Sequence, residues 1–413
     1  MRSVKIKAHF KKAFEFFIKL IALGVPPKKR RRQLREFLLE RLDFRFVFKT
    51  HYKLKQAFVV EAGKRTALVV THELSITGAP LMLLQAVKFL IAHDFRVMAL
   101  SYGDGPLKEE FIRLGVPVCI SRCYRHHSKA IWLMSEDFDF VVANTILSAA
   151  WVQYAKRPER LMWWLHESEE IVAKATEQPS LYRRSLREAK NVYAVSDYAA
   201  SFVNRYSQAS ILHQGIEDIV GSNYKPINLQ QKKLRVGVVG TFGERKNQLL
   251  MLEALNRLPE NYQGKVEIVF VGHKTGGYFK KIKELSRPAW TIDFVGQISD
   301  PALKWPLFES IDLLFVPSID EPFSLVVLEA MMLARPVAVS DRVGAKYLVD
   351  DKKNGFIFKS GDAEAVNKII IWAIENRSSL REMGLIGRKT FSAKGSLSSF
   401  QNEFIMAVDS IVS

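Results

Sequence analysis

A chain of 413 residues is long for one core and natural for two domains, and 48% hydrophobic with 25% charged residues excludes a disordered or fibrous protein. The net charge of +18 is unevenly spread: residues 1–64 hold 18 Lys and Arg against 5 Asp and Glu, or +13, so the rest of the chain is only mildly basic. Two cysteines, Cys119 and Cys123, are too few for a disulfide framework, and no His stands at a spacing that completes a zinc site, which points to a reducing compartment.

Residues 1–63 read as a basic appendage. Phe10, Phe14, Phe17, Ile18 and Ile21 fall at helical spacing, Pro26-Pro27 breaks the helix, and Lys28-Lys-Arg-Arg-Arg32 follows before a second helical stretch, Gln33 to Leu42. A basic amphipathic helix beside a cationic cluster suits an anionic membrane surface, bound through residues 1–45, with docking on the body or on a protein partner as the alternative. Nucleic acid is not expected, because no aromatics interleave the cluster and no binding module surrounds it. The longest apolar run, Phe16 to Val25, is too short to span a bilayer, and no small-residue cleavage site follows it. The expected location is cytoplasmic, peripheral at the inner face of the cell membrane.

From Arg65 the chain alternates strand and helix. Thr66 to His72 is predicted as a strand, Gly78 to Ala92 as a helix opening Gly-Ala-Pro, and further strands follow at 95–101, 116–121, 138–144, 161–166, 192–196 and 211–214. A second series starts at Leu234 to Gly240, with strands near 266–271, 292–295, 312–317, 336–339 and 355–358. Helices at 363–375, 379–388 and 397–412 close the chain. Such alternation implies parallel strands with crossover helices, an α/β doubly wound class. The expected division is 1–63 appendage, 64–220 first domain, 221–233 an Asn-, Gln- and Lys-rich linker, 234–395 second domain, and 396–413 a last helix that crosses back to the first domain.

The most informative stretch is Pro317 to Arg335. The apolar run Asp312 to Val316 ends as a buried strand, a short loop turns, and Ser324 stands at an N-cap position ahead of a helix running to Leu333. Unpaired amides at Leu325, Val326 and Val327 would make an anion site, flanked by Glu321 and Glu329 eight positions apart. Like charges do not suit a phosphate, whereas carboxylates accept hydrogen bonds from polyol hydroxyls, so the pair suggests a sugar on one side of a diphosphate and a ribose on the other. Taken singly, either Glu is more often bland: Glu321 a loop acid near a helix dipole, Glu329 a solvated helical residue.

Glu321-Pro-Phe-Ser-Leu-Val-Val-Leu-Glu329-Ala-Met resembles the Glu-x7-Glu signature of retaining nucleotide-sugar glycosyltransferases of the GT-B fold, in particular glycosyltransferase family 4. The resemblance covers residues 65–413 and implies two Rossmann-like domains facing across a cleft. It implies Glu321 beside the donor sugar, Glu329 on the nucleotide ribose, and the backbone of Ser324, Leu325 and Val326 on the distal phosphate. Ser324 stands where members commonly have Gly.

After Gly240 comes Thr-Phe-Gly-Glu-Arg-Lys-Asn247. Adjacent cations at a glycine turn are what a diphosphate leaving group needs, because charge builds on its oxygen as the glycosidic bond breaks. Arg245 can grip two oxygens in a plane and Lys246 supplies a mobile point charge. The family carries an Arg directly after the glycine and a Lys five positions on; Lys246 matches, while Thr241 takes the Arg position and Arg245 stands in the next turn. In the first domain, Glu73 to Pro80 resembles the family's glycine loop, where Gly78 lets backbone approach donor phosphate or acceptor. Trp163-Trp-Leu-His166-Glu167 ends a strand; the resemblance gives His166 to the donor sugar, with Glu167 orienting the ring, and a strand-end capping His is the plain alternative. Asp137-Phe-Asp139 matches a metal signature of another glycosyltransferase fold but precedes a strand, and reads as a turn.

Together these imply a metal-independent retaining hexosyltransferase. It would move a sugar from a UDP- or GDP-linked donor to a glycan or lipid-linked acceptor in cell-surface polysaccharide or glycolipid synthesis; the resemblance implies front-face attack with the departing phosphate as base. The alternatives are a GT-B epimerase or phosphorylase and a non-catalytic scaffold docking through its basic N-terminus.

Overall fold

The computed structural model describes Phe58 and residues 63–413 except 275 and 299. The expected appendage helices and the membrane-binding segment lie outside the described residues. Two sheets form the framework. The first has seven strands: β1 (Arg65–Thr71), β2 (Phe95–Ser101), β3 (Val118–Ile120), β4 (Phe140–Asn144), β5 (Leu161–Leu165), β6 (Asn191–Ala194) and β7 (Ser210–Ile211), in the order β3-β2-β1-β4-β5-β6-β7. The second has six: β8 (Leu234–Val239), β9 (Val266–Val271), β10 (Thr291–Val295), β11 (Leu313–Val316), β12 (Val337–Ser340) and β13 (Gly355–Phe358), in the order β10-β9-β8-β11-β12-β13, every pairing parallel. These are the two Rossmann-like sheets that the alternation implied.

The strands form because they are short, β-branched and apolar on both faces, as parallel strands covered by helices must be. In β1 every residue after Arg65 is buried. In the second sheet Val236, Val238, Ile268, Phe270, Leu313 and Phe315 build a continuous core, and Phe270 stacks on Phe294 with ring centroids 5.5 Å apart. Among the helices, α1 (Gly78–Ala92) belongs to the first series, and α2 (Pro301–Ser310), α3 (Leu325–Met332) and α4 (Leu397–Val412) to the second.

By compactness the described chain divides into two units: one ends at Trp163 and includes Glu188–Asn191 and Ile411–Ser413, and the other comprises Trp164–Arg187 and Val192–Ser410. In the first unit, Asp139 accepts from the Thr66 amide and hydroxyl, both at 2.9 Å, so this acid clamps β1 at the start of β4. Cys119 and Cys123 are buried thiols, not joined in a disulfide. In the second unit, Phe400 and Phe404 of α4 pack on Trp164, with centroids 5.7 and 6.2 Å away. Among the described residues, no helix is long and apolar enough to cross a membrane.

Strand limits differ from the predicted ones by a residue or two, except the strand predicted at 211–214, which is two residues long. There Gln214 leaves the sheet to bond a neighbouring side chain.

Candidate functional site

The second sheet reverses its winding between β8 and β11: β9 and β10 lie on one side, β12 and β13 on the other. In open α/β sheets ligands bind above the carboxyl ends of strands at such a switch point. Here the loops that leave β8 and β11 stand side by side, and they carry the two motifs that sequence alone singled out.

The loop after β8 turns at Gly240, whose φ of +150° favours glycine; the aliphatic stem of Lys246 lies 3.4 Å from where a Cβ would sit. Thr241 is exposed, and its carbonyl accepts from the buried Gln248 amide at 3.1 Å. Glu244–Lys246 form one 3-10 turn, which ends at Asn247 in the left-handed region, φ +50°. This turn projects both cations at one carboxylate. Arg245 Nη1 donates to Glu321 Oε2 at 2.9 Å and to the Asp320 carbonyl at 2.7 Å, and Lys246 Nζ donates to the same Glu321 oxygen. Glu321 is 9% exposed. Burial pushes its carboxyl up, but Lys246 and Arg245 outweigh that and hold it below the usual carboxylate range, so it is ionised at neutral pH.

Backbone bonds lock this loop. Ile319 N–H donates to the Arg245 carbonyl at 2.9 Å, Glu321 N–H to the Arg342 carbonyl at 3.1 Å, and Gly344 N–H to the Glu321 carbonyl at 2.8 Å. Ser196 Oγ donates to the Pro322 carbonyl at 2.5 Å. Asp320, which the sequence reading passed over, accepts from Ser168 Oγ at 2.5 Å and Tyr198 OH at 2.9 Å. Burial and Asp320 push the Tyr198 phenol well up, so it remains a donor.

His166 follows β5 two residues before Ser168, which ties its segment to the Glu321 loop. The expectation that Glu167 orients its ring is corrected: the Glu167 carboxylate accepts from the His166 backbone N–H at 3.0 Å, while Gln214 Nε2 meets His166 Nδ1 at 3.0 Å. An amide nitrogen only donates, so with the amide placed this way Nδ1 accepts and the neutral ring carries its proton on Nε2. Trp164 lies against the ring, centroids 4.4 Å apart.

At the start of α3, Ser324 occupies the N-cap position without capping. Its φ of +101° and ψ of 90° depart from the extended backbone that an N-cap needs, its hydroxyl makes no bond to the helix amides, and the buried Oγ has no partner. The Val327 amide, expected to be unpaired, donates to the Ser324 carbonyl at 3.2 Å. The first-turn amides without a backbone acceptor are then those of Leu325 and Val326. Ser324→Gly should relieve both the backbone strain and the unsatisfied hydroxyl, raising stability by about 1–2 kcal/mol and Tm by roughly 2–6 °C in thermal denaturation. An unchanged or lower Tm would refute that account.

Glu329 lies one turn further into α3, 13% exposed at its side chain, and pairs with Lys304 of α2, Nζ to Oε1 at 2.6 Å. It is therefore not a solvated surface acid. Burial pushes its carboxyl above the usual range, Lys304 pulling the other way without offsetting it. Gly78 belongs to the first unit, as the opening residue of α1, with open space where a Cβ would sit. The structure thus gathers Gly240, Arg245, Lys246, Glu321 and Ser324 on adjoining loops, with Glu329 on the helix that follows. Asp320, Ser168, Tyr198, Gln214 and Lys304 were missed; only Asp320, adjacent to Glu321, carried a local signal.

Two family models match the chain: "Glycosyl-transferase family 4" over residues 62–208 and "Glycosyl transferases group 1" over residues 222–390. The chain is 30% identical to the sulfoquinovosyl transferase of Arabidopsis thaliana over 140 residues, 33% of this chain and 26% of that protein. It is 27% identical to the O-antigen chain mannosyltransferase B of Escherichia coli over 161 residues, 37% and 41% of the two chains. The chain thus matches about a third of the length of such curated relatives. Among solved structures, HepE of Anabaena in complex with UDP superposes with a TM-score of 0.70 at 19% identity, covering 84% of this chain and all of that one.

Proposed function

Since the chain belongs to the GT-B glycosyltransferases of family 4 type, we propose that it transfers a hexose-type sugar, with retention, from a nucleoside diphosphate sugar to a glycan or lipid-linked acceptor in cell-surface polysaccharide or glycolipid synthesis. The observation that carries this reading is the convergence of Arg245 and Lys246, from the loop after β8, on Glu321, from the loop after β11.

Glu321 pairs with both cations, and its single charge leaves the trio net positive. An incoming diphosphate competes for them, and the charge that grows on its departing oxygen is met by the same two side chains and by the Leu325 and Val326 amides. Both cations use Oε2 of Glu321, so Oε1 is clear of them and can accept from a sugar hydroxyl. His166 holds the other side of the sugar, and Glu329 accepts from the ribose. The departing phosphate takes the acceptor's proton, so no protein base is assigned.

The UDP complex of the structural neighbour HepE makes a uracil donor the first to try. Titration of UDP and GDP by calorimetry tests the site. Lys246→Ala is expected to weaken binding about 10- to 100-fold, the loss of one or two charge-assisted hydrogen bonds. Glu329→Ala is expected to weaken it several-fold. Unchanged affinity in both variants would overturn the assignment. Release of nucleoside diphosphate from a panel of sugar nucleotides separates transfer from epimerisation or scaffolding.

A further inference from the structure

We propose that Lys304 is a positioning residue for nucleotide recognition: it holds the Glu329 carboxylate ionised and in one orientation, and so sets how strongly the protein reads the ribose hydroxyls. The inference rests on Glu329 meeting the ribose, and it concerns a residue outside the Glu-x7-Glu pattern.

The placement of Lys304 starts from its own helix. Asp300 caps α2, its carboxylate accepting from the Ala302 amide at 2.9 Å, and Pro301 occupies the first turn. This register puts Lys304 one turn in, with its backbone amide on the Asp300 carbonyl at 3.0 Å. Its ammonium sits 4.6 Å from the Trp305 ring centre and 5.8 Å from that of Phe308. Two aromatic faces and a carboxylate at 2.6 Å leave the amine little freedom, although its side chain is still 28% exposed.

The contrast with Glu321 shows what the lysine does. Glu321 has two cations and stays below the ordinary carboxylate range; Glu329 has one, and burial already outweighs it. Among the described residues, Lys304 is the charged group that acts on Glu329, and it comes from α2. Without Lys304 only burial would act on the carboxyl, pushing it further up. A protonated carboxyl presents a donor where two ribose hydroxyls need acceptors, and its rotation is no longer fixed. Since Lys304 uses Oε1, Oε2 is left for the nucleotide.

Calorimetric titration of the full chain with UDP and 2′-deoxy-UDP between pH 7 and 9 tests this, with the GDP pair used if guanine is the base selected above. The wild type should bind UDP with little dependence on pH and prefer it to the deoxy form. Lys304→Met should weaken UDP about 10-fold at pH 7, recover most of the loss by pH 9, and lose most of its ribose preference. Lys304→Arg, which keeps the charge, should restore a flat profile. A Lys304→Met loss that is independent of pH and equal for both nucleotides would reduce Lys304 to a structural prop and overturn the inference. Glu329→Gln separates the two layers. If it keeps the ribose preference, the reading of Glu329 itself fails; if it loses the preference while Lys304→Met keeps it, only the role of Lys304 fails.

Discussion

Glu321→Gln should lower turnover by on the order of 100- to 1,000-fold while nucleoside diphosphate binds as tightly as before or several-fold tighter. The two halves of this result have one cause. Glu321 is at once the acceptor proposed for the donor sugar and the resting counter-ion of Arg245 and Lys246. An amide in its place releases both cations for phosphate, yet presents the sugar with a weaker, half-donating partner. Steady-state kinetics beside UDP calorimetry checks it; turnover and affinity falling together would mean that the variant simply disorders the loop. Acid should act in the same direction on the fold. Because the Glu321 carboxyl lies lower in the folded protein than in an unfolded chain, its contribution is complete above the ordinary carboxylate range. It is lost as pH falls through the folded value.

Gly344→Ala is expected to be the most damaging single-atom change, destabilising by about 3–5 kcal/mol and removing activity beyond what unfolding explains. A Cβ at Gly344 would overlap the Pro322 carbonyl oxygen and Ser196 Oγ, two atoms already hydrogen-bonded to each other. Neither can retreat, since Pro322 follows Glu321, whose carbonyl accepts from Gly344 itself. The glycine is required by space, so the matched control is Gly361→Ala, where φ is +82° with nothing within 4 Å. The control should cost about 1 kcal/mol from backbone strain alone. Thermal and chemical denaturation of both variants distinguishes them, and equal losses would refute the steric argument.

What could be read in the sequence was whatever chemistry is local. Helices at Gly78–Ala92 and Leu397–Val412 end where their apolar periodicity ends, and the carboxylates of the Glu-x7-Glu motif sit on a loop and a helix as their spacing implied. The cationic turn at Arg245 and Lys246 was legible for the same reason. Partnerships closed by the fold were not. Ser168 and Asp320 are 152 residues apart, and Gln214 reaches His166 across 48. Lys304 meets Glu329 from another helix, 25 residues earlier in the chain, and no short window of residues holds both. Ser324 misled in the other direction: its residue type favours capping, but the tight loop imposes a positive φ, and conformation overrode propensity.

The shared grip of Arg245 and Lys246 on one buried carboxylate has a bearing on which solutes enter the site at all. An empty pair of cations would be an ion-exchange resin, catching inorganic phosphate or any passing polyanion. On the proposed function, Glu321 is a built-in competitor: an anion has to offer two well-spaced charges and something for the displaced carboxylate to hold, as a sugar joined to a diphosphate does.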